Sequence, residues 1–74
     1  MKLNLLSCDE KRPDQRAIAH CLEEISISVD GYLARELTDI LLAGDPIEIE
    51  VDDKNSSSAY RALRKLGIDY EILD

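Results

Sequence analysis

The chain has 74 residues, a net charge of −7, 45% apolar residues, three Tyr and neither Trp nor Phe. A chain this short buries about 60–65% of the surface it exposes when unfolded, enough for one domain, residues 1–74, with a stability margin on the order of 3–6 kcal/mol. The acidic balance disfavours nucleic acid and anionic membrane as direct ligands, because both need cations to neutralise phosphate. A core of Leu, Ile, Val and Ala also spares little volume for a catalytic pocket.

In chain order, Lys2 to Cys8 has the alternation of a strand, with Leu3 and Leu5 on one face and Lys2, Asn4 and Leu6 on the other. The polar run Asp9-Glu10-Lys11-Arg12 ends at Pro13, which suits a first helical position because its missing N–H is unneeded there. Ala17, Ile18, Cys21, Leu22 and Ile25 then recur at helical spacing, leaving Arg16, His20, Glu23 and Glu24 on the wet side. Ser26 to Gly31 is a poor helix interior and a good turn, and Ser28 or Asp30 can cap the helix that follows. In that helix Ala34, Leu37, Ile40 and Leu41 share a face. Gly44 ends it in a left-handed conformation, and Asp45-Pro46 prevents continuation.

The second strand alternates Ile47, Ile49 and Val51 with Glu48 and Glu50. Asp52 to Asn55 offer caps for a third helix, whose buried stripe is Ala59, Ala62, Leu63 and Leu66, and Gly67 stops it. The last strand alternates Ile68, Tyr70 and Ile72 with Asp69 and Glu71. A two-residue period puts all the apolar members of a strand on one face and all the acidic members on the other. One face of the sheet is therefore covered by helices and the other is open and acidic.

The order β-α-α-β-α-β restricts the topology. A single crossover helix makes the second and third strands parallel, and the preceding pair of helices makes the first antiparallel to both. The prediction is an α+β two-layer sandwich, a three-stranded sheet in order 2-1-3 with three helices on one face. It is a split βαβ unit. Lys2 and Asn4 then lie between a Glu48/Glu50 row and an Asp69/Glu71 row.

From about Arg16 to Ile72 the chain resembles the C-terminal domain of the bacterial ribosomal stalk protein. Gly31-Tyr32-Leu33-Ala34-Arg35-Glu36-Leu37 is similar to its Gly-Leu-rich helix start, and Ala59 to Ile72 to its final helix, glycine and acidic strand. The adaptor of the Clp protease shares that fold, and Asp9-Glu10-Lys11-Arg12-Pro13 has the spacing of its acidic pair and proline. The resemblance implies the same fold and a docking role. Asp9 matches the adaptor's amine-binding Asp; Cys8 stands where that adaptor has Asn, and Ala43-Gly44-Asp45 supplies no His.

Other residues read more simply. Cys8 and Cys21 fit a reducing compartment as buried free thiols, with a redox-linked pair as the alternative. His20 and Glu24 form an i, i+4 pair that lacks the further ligands of a metal site. Ser56-Ser57-Ser58 suits a helix start, and Arg61, Arg64 and Lys65 suit a helix C-terminus. No nucleophile–base pattern or phosphate loop occurs, so neither an enzyme nor a cofactor is expected.

The expected function is that of a small acidic, non-enzymatic, adaptor-like module in the cytoplasm. It would dock onto a protein with a basic surface through Asp9, Glu10, Glu48, Glu50, Asp69 and Glu71, with no membrane contact. The alternative is an acidic inhibitor from a mobile element that imitates nucleic acid.

Overall fold

The computed structural model describes residues 1–73. Its elements are β1 (Lys2–Cys8), α1 (Gln15–Ile25), α2 (Gly31–Leu42), β2 (Ile47–Glu50), a 3-10 turn at Asp53–Asn55, α3 (Ser56–Lys65) and β3 (Ile68–Ile72). The sheet runs β2-β1-β3, with β1 antiparallel to both neighbours. The outer strands are thus parallel to each other, as the α3 crossover requires. This is the α+β arrangement that the residue pattern predicts.

Packing follows from which positions turn inward. Leu3 and Leu5 on β1, Ile47 and Ile49 on β2 and Ile68 on β3 are buried against Ile18, Leu22, Ala34, Leu41, Ala59 and Leu63 of the helices. α1 packs chiefly on α2, α2 crosses β1 and β2, and α3 lies on β3. The alternate strand residues Lys2, Glu48, Glu50, Asp69 and Glu71 are exposed.

Local chemistry sets the helix ends, not always at the expected residue. α1 starts at Gln15 because the Asp14 carboxylate accepts from Ala17 N at 3.1 Å, so Pro13 precedes the cap instead of opening the helix. Asp30 caps α2 through Leu33 N at 2.8 Å, whereas Ser28 occupies a turn with φ +66°. Asp52 caps the 3-10 turn through Lys54 N, and Asn55 stands at the start of α3 without a side-chain bond. Gly44 is left-handed as expected, with φ +103°.

On α2 the buried side chains are Ala34, Thr38 and Leu41, while Ile40 is 43% exposed. The buried stripe is rotated by part of a turn from the expected one, and a Thr is tolerated within it. Its hydroxyl donates to Ala34 O at 2.7 Å, which satisfies the polar group within the helix. Ile72 also departs from expectation. It pairs with the buried Leu3 but lies near the end of an outer strand and is exposed.

Strict alternation fails once, at a bulge in β1. Leu5 pairs with Tyr70 but Ser7, not Leu6, pairs with Asp69, so Leu6 is the extra residue. The slip turns Ser7 toward the acidic face and lets Cys8 pack beside the core. Regular alternation would have placed them the other way round.

The outer edge of β2 is partly covered by its own chain. Ile27 N donates to Glu50 O at 2.7 Å, and Ser26 bridges Val51, which is buried just beyond the end of β2. A covered edge is a poor template for pairing with another sheet.

Candidate functional site

The open face of the sheet is built by register. Asn4 lies between Glu48 on β2 and Glu71 on β3, Lys2 lies opposite Glu50, and Ser7 lies opposite Asp69. Two acidic lines therefore flank a central strand whose outward groups are a cation, an amide and a hydroxyl. Asn4 Nδ2 donates to Glu71 Oε1 at 3.1 Å, Ser7 Oγ donates to Asp69 Oδ2 at 3.5 Å, and Lys2 Nζ stands 3.9 Å from Glu48 Oε1. Each bond holds a carboxylate on the face without covering it.

The turn after α3 sets the lower end of this face. Gly67, with φ +73°, reverses the chain between α3 and β3, and its carbonyl accepts from Asp9 N at 2.8 Å. Cys8 Sγ donates to Leu66 O at 3.5 Å on the same turn. Asp9 is thereby carried beside Asp69, and Glu10 lies against Gly67, where an added Cβ would meet Glu10 Cγ at 2.7 Å. Of the six expected residues, Asp9, Glu10 and Asp69 meet at this end, Glu48 and Glu71 face each other across Asn4, and Glu50 stands at the far end beside Lys2.

Asp9 is not the unperturbed loop carboxylate that sequence position suggests. A hydrogen bond to the Asp69 side chain and the charge on Asp69 raise its pKa above the ordinary carboxylate value. The native state therefore holds the Asp9 proton more firmly than the unfolded chain does. That contribution to stability is present below the ordinary Asp range and is lost as pH rises through the raised native value. Asp9→Asn is expected to raise Tm at pH 7, with the gain shrinking toward about pH 4, the ordinary Asp range. Melting curves across that range check it; an unchanged or lower Tm at pH 7 would contradict it.

A second concave surface lies between the outer sides of α1 and α2. Its volume is about 550 Å³, and Arg16, Ala19, His20, Glu23, Tyr32 and Arg35 contribute to its walls. Tyr32 is 78% exposed. Patterning placed Arg16, His20 and Glu23 on the wet side of α1, but did not bring them together with Tyr32 and Arg35 of α2. The usable signal is that Tyr32 falls outside the apolar stripe of α2.

No family model matches the chain, and neither does any curated protein or solved structure. Its chemistry is therefore read from its own residues. His20 Nε2 lies 3.0 Å from Glu24 Oε1 as a surface pair, and among the described residues no three His, Cys, Asp or Glu side chains are grouped to hold a metal ion. Cys8 and Cys21 are free thiols. No helix of the described residues is long and apolar enough to cross a membrane.

Proposed function

We propose that the chain is a non-enzymatic docking module that presents the open, acidic face of its sheet to a basic surface on a larger protein in the cytoplasm. One observation carries this reading. All the core-forming strand residues turn toward the helices, and register gathers Glu48, Glu50, Asp69 and Glu71 on the opposite face, with Asp9 at its end. Such a face attracts cationic surfaces at long range and favours register-specific contacts when they arrive.

The test compares the wild type with a variant carrying Glu48→Gln, Glu50→Gln, Asp69→Asn and Glu71→Gln. These positions are exposed and outside the core, so the variant is expected to keep its circular dichroism spectrum. Four surface charge contacts together contribute about 3 kcal/mol, roughly a hundredfold in affinity. Proteins captured by the wild type from a lysate at low salt should be lost from the variant and reduced at moderate salt. Equal capture by both chains would overturn the reading. Release of the captured proteins by added duplex DNA would replace it with imitation of a phosphate backbone.

A further inference from the structure

The two edges of the sheet differ. That of β2 is strapped by its own chain, where Ile27 N donates to Glu50 O at 2.7 Å and Ser26 bridges Val51. Two backbone bonds fix which groups of β3 face its own outer edge. Asp9 N donates to Gly67 O at 2.8 Å beside the pair Cys8 and Ile68, and Leu73 N donates to Lys2 O at 3.0 Å beside the pair Leu3 and Ile72. Bonds that flank an antiparallel pair mark it as one whose own N–H and C=O groups point away from each other. Tyr70, opposite Leu5, falls in the same alternation. Ile68, Tyr70 and Ile72 therefore direct their backbone groups outward, and no backbone bond to those groups occurs among the described residues.

The side chains along this edge divide by face. On the open face stand Asp69 and Glu71, tied to β1 by single hydrogen bonds from Ser7 and Asn4. A carboxylate accepts several hydrogen bonds, so both can still receive a cation. On the helical face Tyr70 is half-buried and stacked on Tyr60, ring centroids 5.2 Å apart, and Ile72 is 54% exposed. β3 contains no Pro, and the extra residue of its ladder lies on β1. Neither of those two devices blunts this edge.

We infer that the outer edge of β3 accepts an extended segment of a partner protein as a fourth strand, with Lys or Arg beside Asp69 and Glu71 and apolar side chains beside Tyr70 and Ile72. This rests on the docking function proposed above and specifies the partner's form and chemistry. Unpaired backbone groups select an extended chain, because a helix satisfies its own N–H and C=O groups internally. Cross-strand charge selects the cations. The same charge rejects a second copy of this chain: two β3 strands paired antiparallel about Tyr70 would set Asp69 of each copy opposite Glu71 of the other. Lys2 does not oppose the added strand, because β3 lies between them and the separation is about 10 Å.

Three peptides of about seven residues, alternating Lys and Val with blocked termini, test this against the full chain. One is unmodified, one is N-methylated on its Val residues and one on its Lys residues, so side chains and charge are the same. Antiparallel addition is the more stable pairing and directs the Val amides at β3. The Val-methylated peptide is therefore expected to bind at least tenfold more weakly than the unmodified one, and the Lys-methylated peptide about as well. NMR titration reads the affinities. Saturation with the unmodified peptide should slow hydrogen exchange at the Tyr70 and Ile72 amides at least tenfold, with no matching change at Ile27. Ile72→Pro removes an outward N–H that bonds nothing in the free chain, so it should weaken the unmodified peptide at least tenfold while Ile72→Ala does not.

Loss confined to the Lys-methylated peptide would keep the edge as the site and reverse the direction of the added strand. Equal binding of all three peptides, weakened by Asp69→Asn with Glu71→Gln, would overturn strand addition and leave acidic docking standing. Equal loss from both methylated peptides, or no binding of the unmodified one at millimolar concentration, would also overturn it. If the quadruple variant captures the same proteins as the wild type, the docking reading fails, while the methylation comparison still decides the edge.

Discussion

Leu5→Ala is expected to leave the chain largely unfolded at 37 °C. Leu5 is fully buried on the central strand, pairing with Ile47 on one side and Tyr70 on the other. Truncating a buried Leu to Ala costs about 2–5 kcal/mol, the transfer free energy of the lost carbons plus the cavity left behind. A margin on the order of 3–6 kcal/mol for a domain this size is consumed by that loss. The site has little capacity to collapse, because β1 is held between two strands and under the helices. Urea unfolding followed by circular dichroism measures the change, and a loss below 1 kcal/mol would contradict this account of the core. Leu6→Ala is the control. Leu6 is one residue away but exposed at the bulge, so its truncation should cost only a small fraction of the Leu5 value.

The second large effect concerns Cys21. Burial, with a smaller contribution from the Glu24 carboxylate, pushes its thiol up to about 11. At pH 8 the thiolate fraction is then about one in a thousand, against roughly a quarter for an ordinary cysteine. Alkylation by iodoacetamide in the folded state should be slower at Cys21 by at least a hundredfold than in the urea-unfolded chain. Peptide mapping after timed quenching reads this directly, and rapid labelling of Cys21 in the folded state would show the geometry to be wrong. The linkage has a definite sign. Above about pH 9 the unfolded thiol ionises while the native one keeps its proton, so this group contributes a loss of stability between about pH 9 and pH 11. The same shift makes Cys21 a poor nucleophile and fits a packing role, in line with its place between Ile18 and Leu22 on the buried side of α1.

These expectations also bear on the docking proposal, because they separate the two sides of the sheet. Substitutions at Leu5 or Leu22 should abolish docking by unfolding the chain, whereas substitutions at Glu48 or Glu71 should weaken it with the fold intact. Without that separation, loss of binding in an acidic-face variant would be uninformative. Asp9 combines the two effects. It repels Asp69 within the native state, and it adds negative charge to one end of the face. Removing its charge should therefore stabilise the fold while weakening contact with a basic partner, the trade-off common at functional surfaces.

Sequence by itself determined the element order, the direction of each strand and the acidic character of one sheet face. Those properties depend on local periodicity and on connection length, which are complete within short stretches of chain: Ile47-Glu48-Ile49-Glu50 cannot bury its isoleucines without exposing its glutamates. Tertiary structure alone decided the details that depend on partners distant in sequence. The bulge at Leu6 comes from fitting β1 to two strands and the α3–β3 turn at once, and it reassigns Ser7 and Cys8 to opposite faces. The rotation of α2 that buries Thr38 and exposes Ile40 comes from how that helix packs over β1 and against α1, which no periodicity within α2 records. The meeting of Asp9 with Asp69, 60 residues apart, exists only because Gly67 accepts the Asp9 amide at the end of the sheet. Local patterns specify which face a residue prefers; only the assembled sheet specifies which residue lies opposite it.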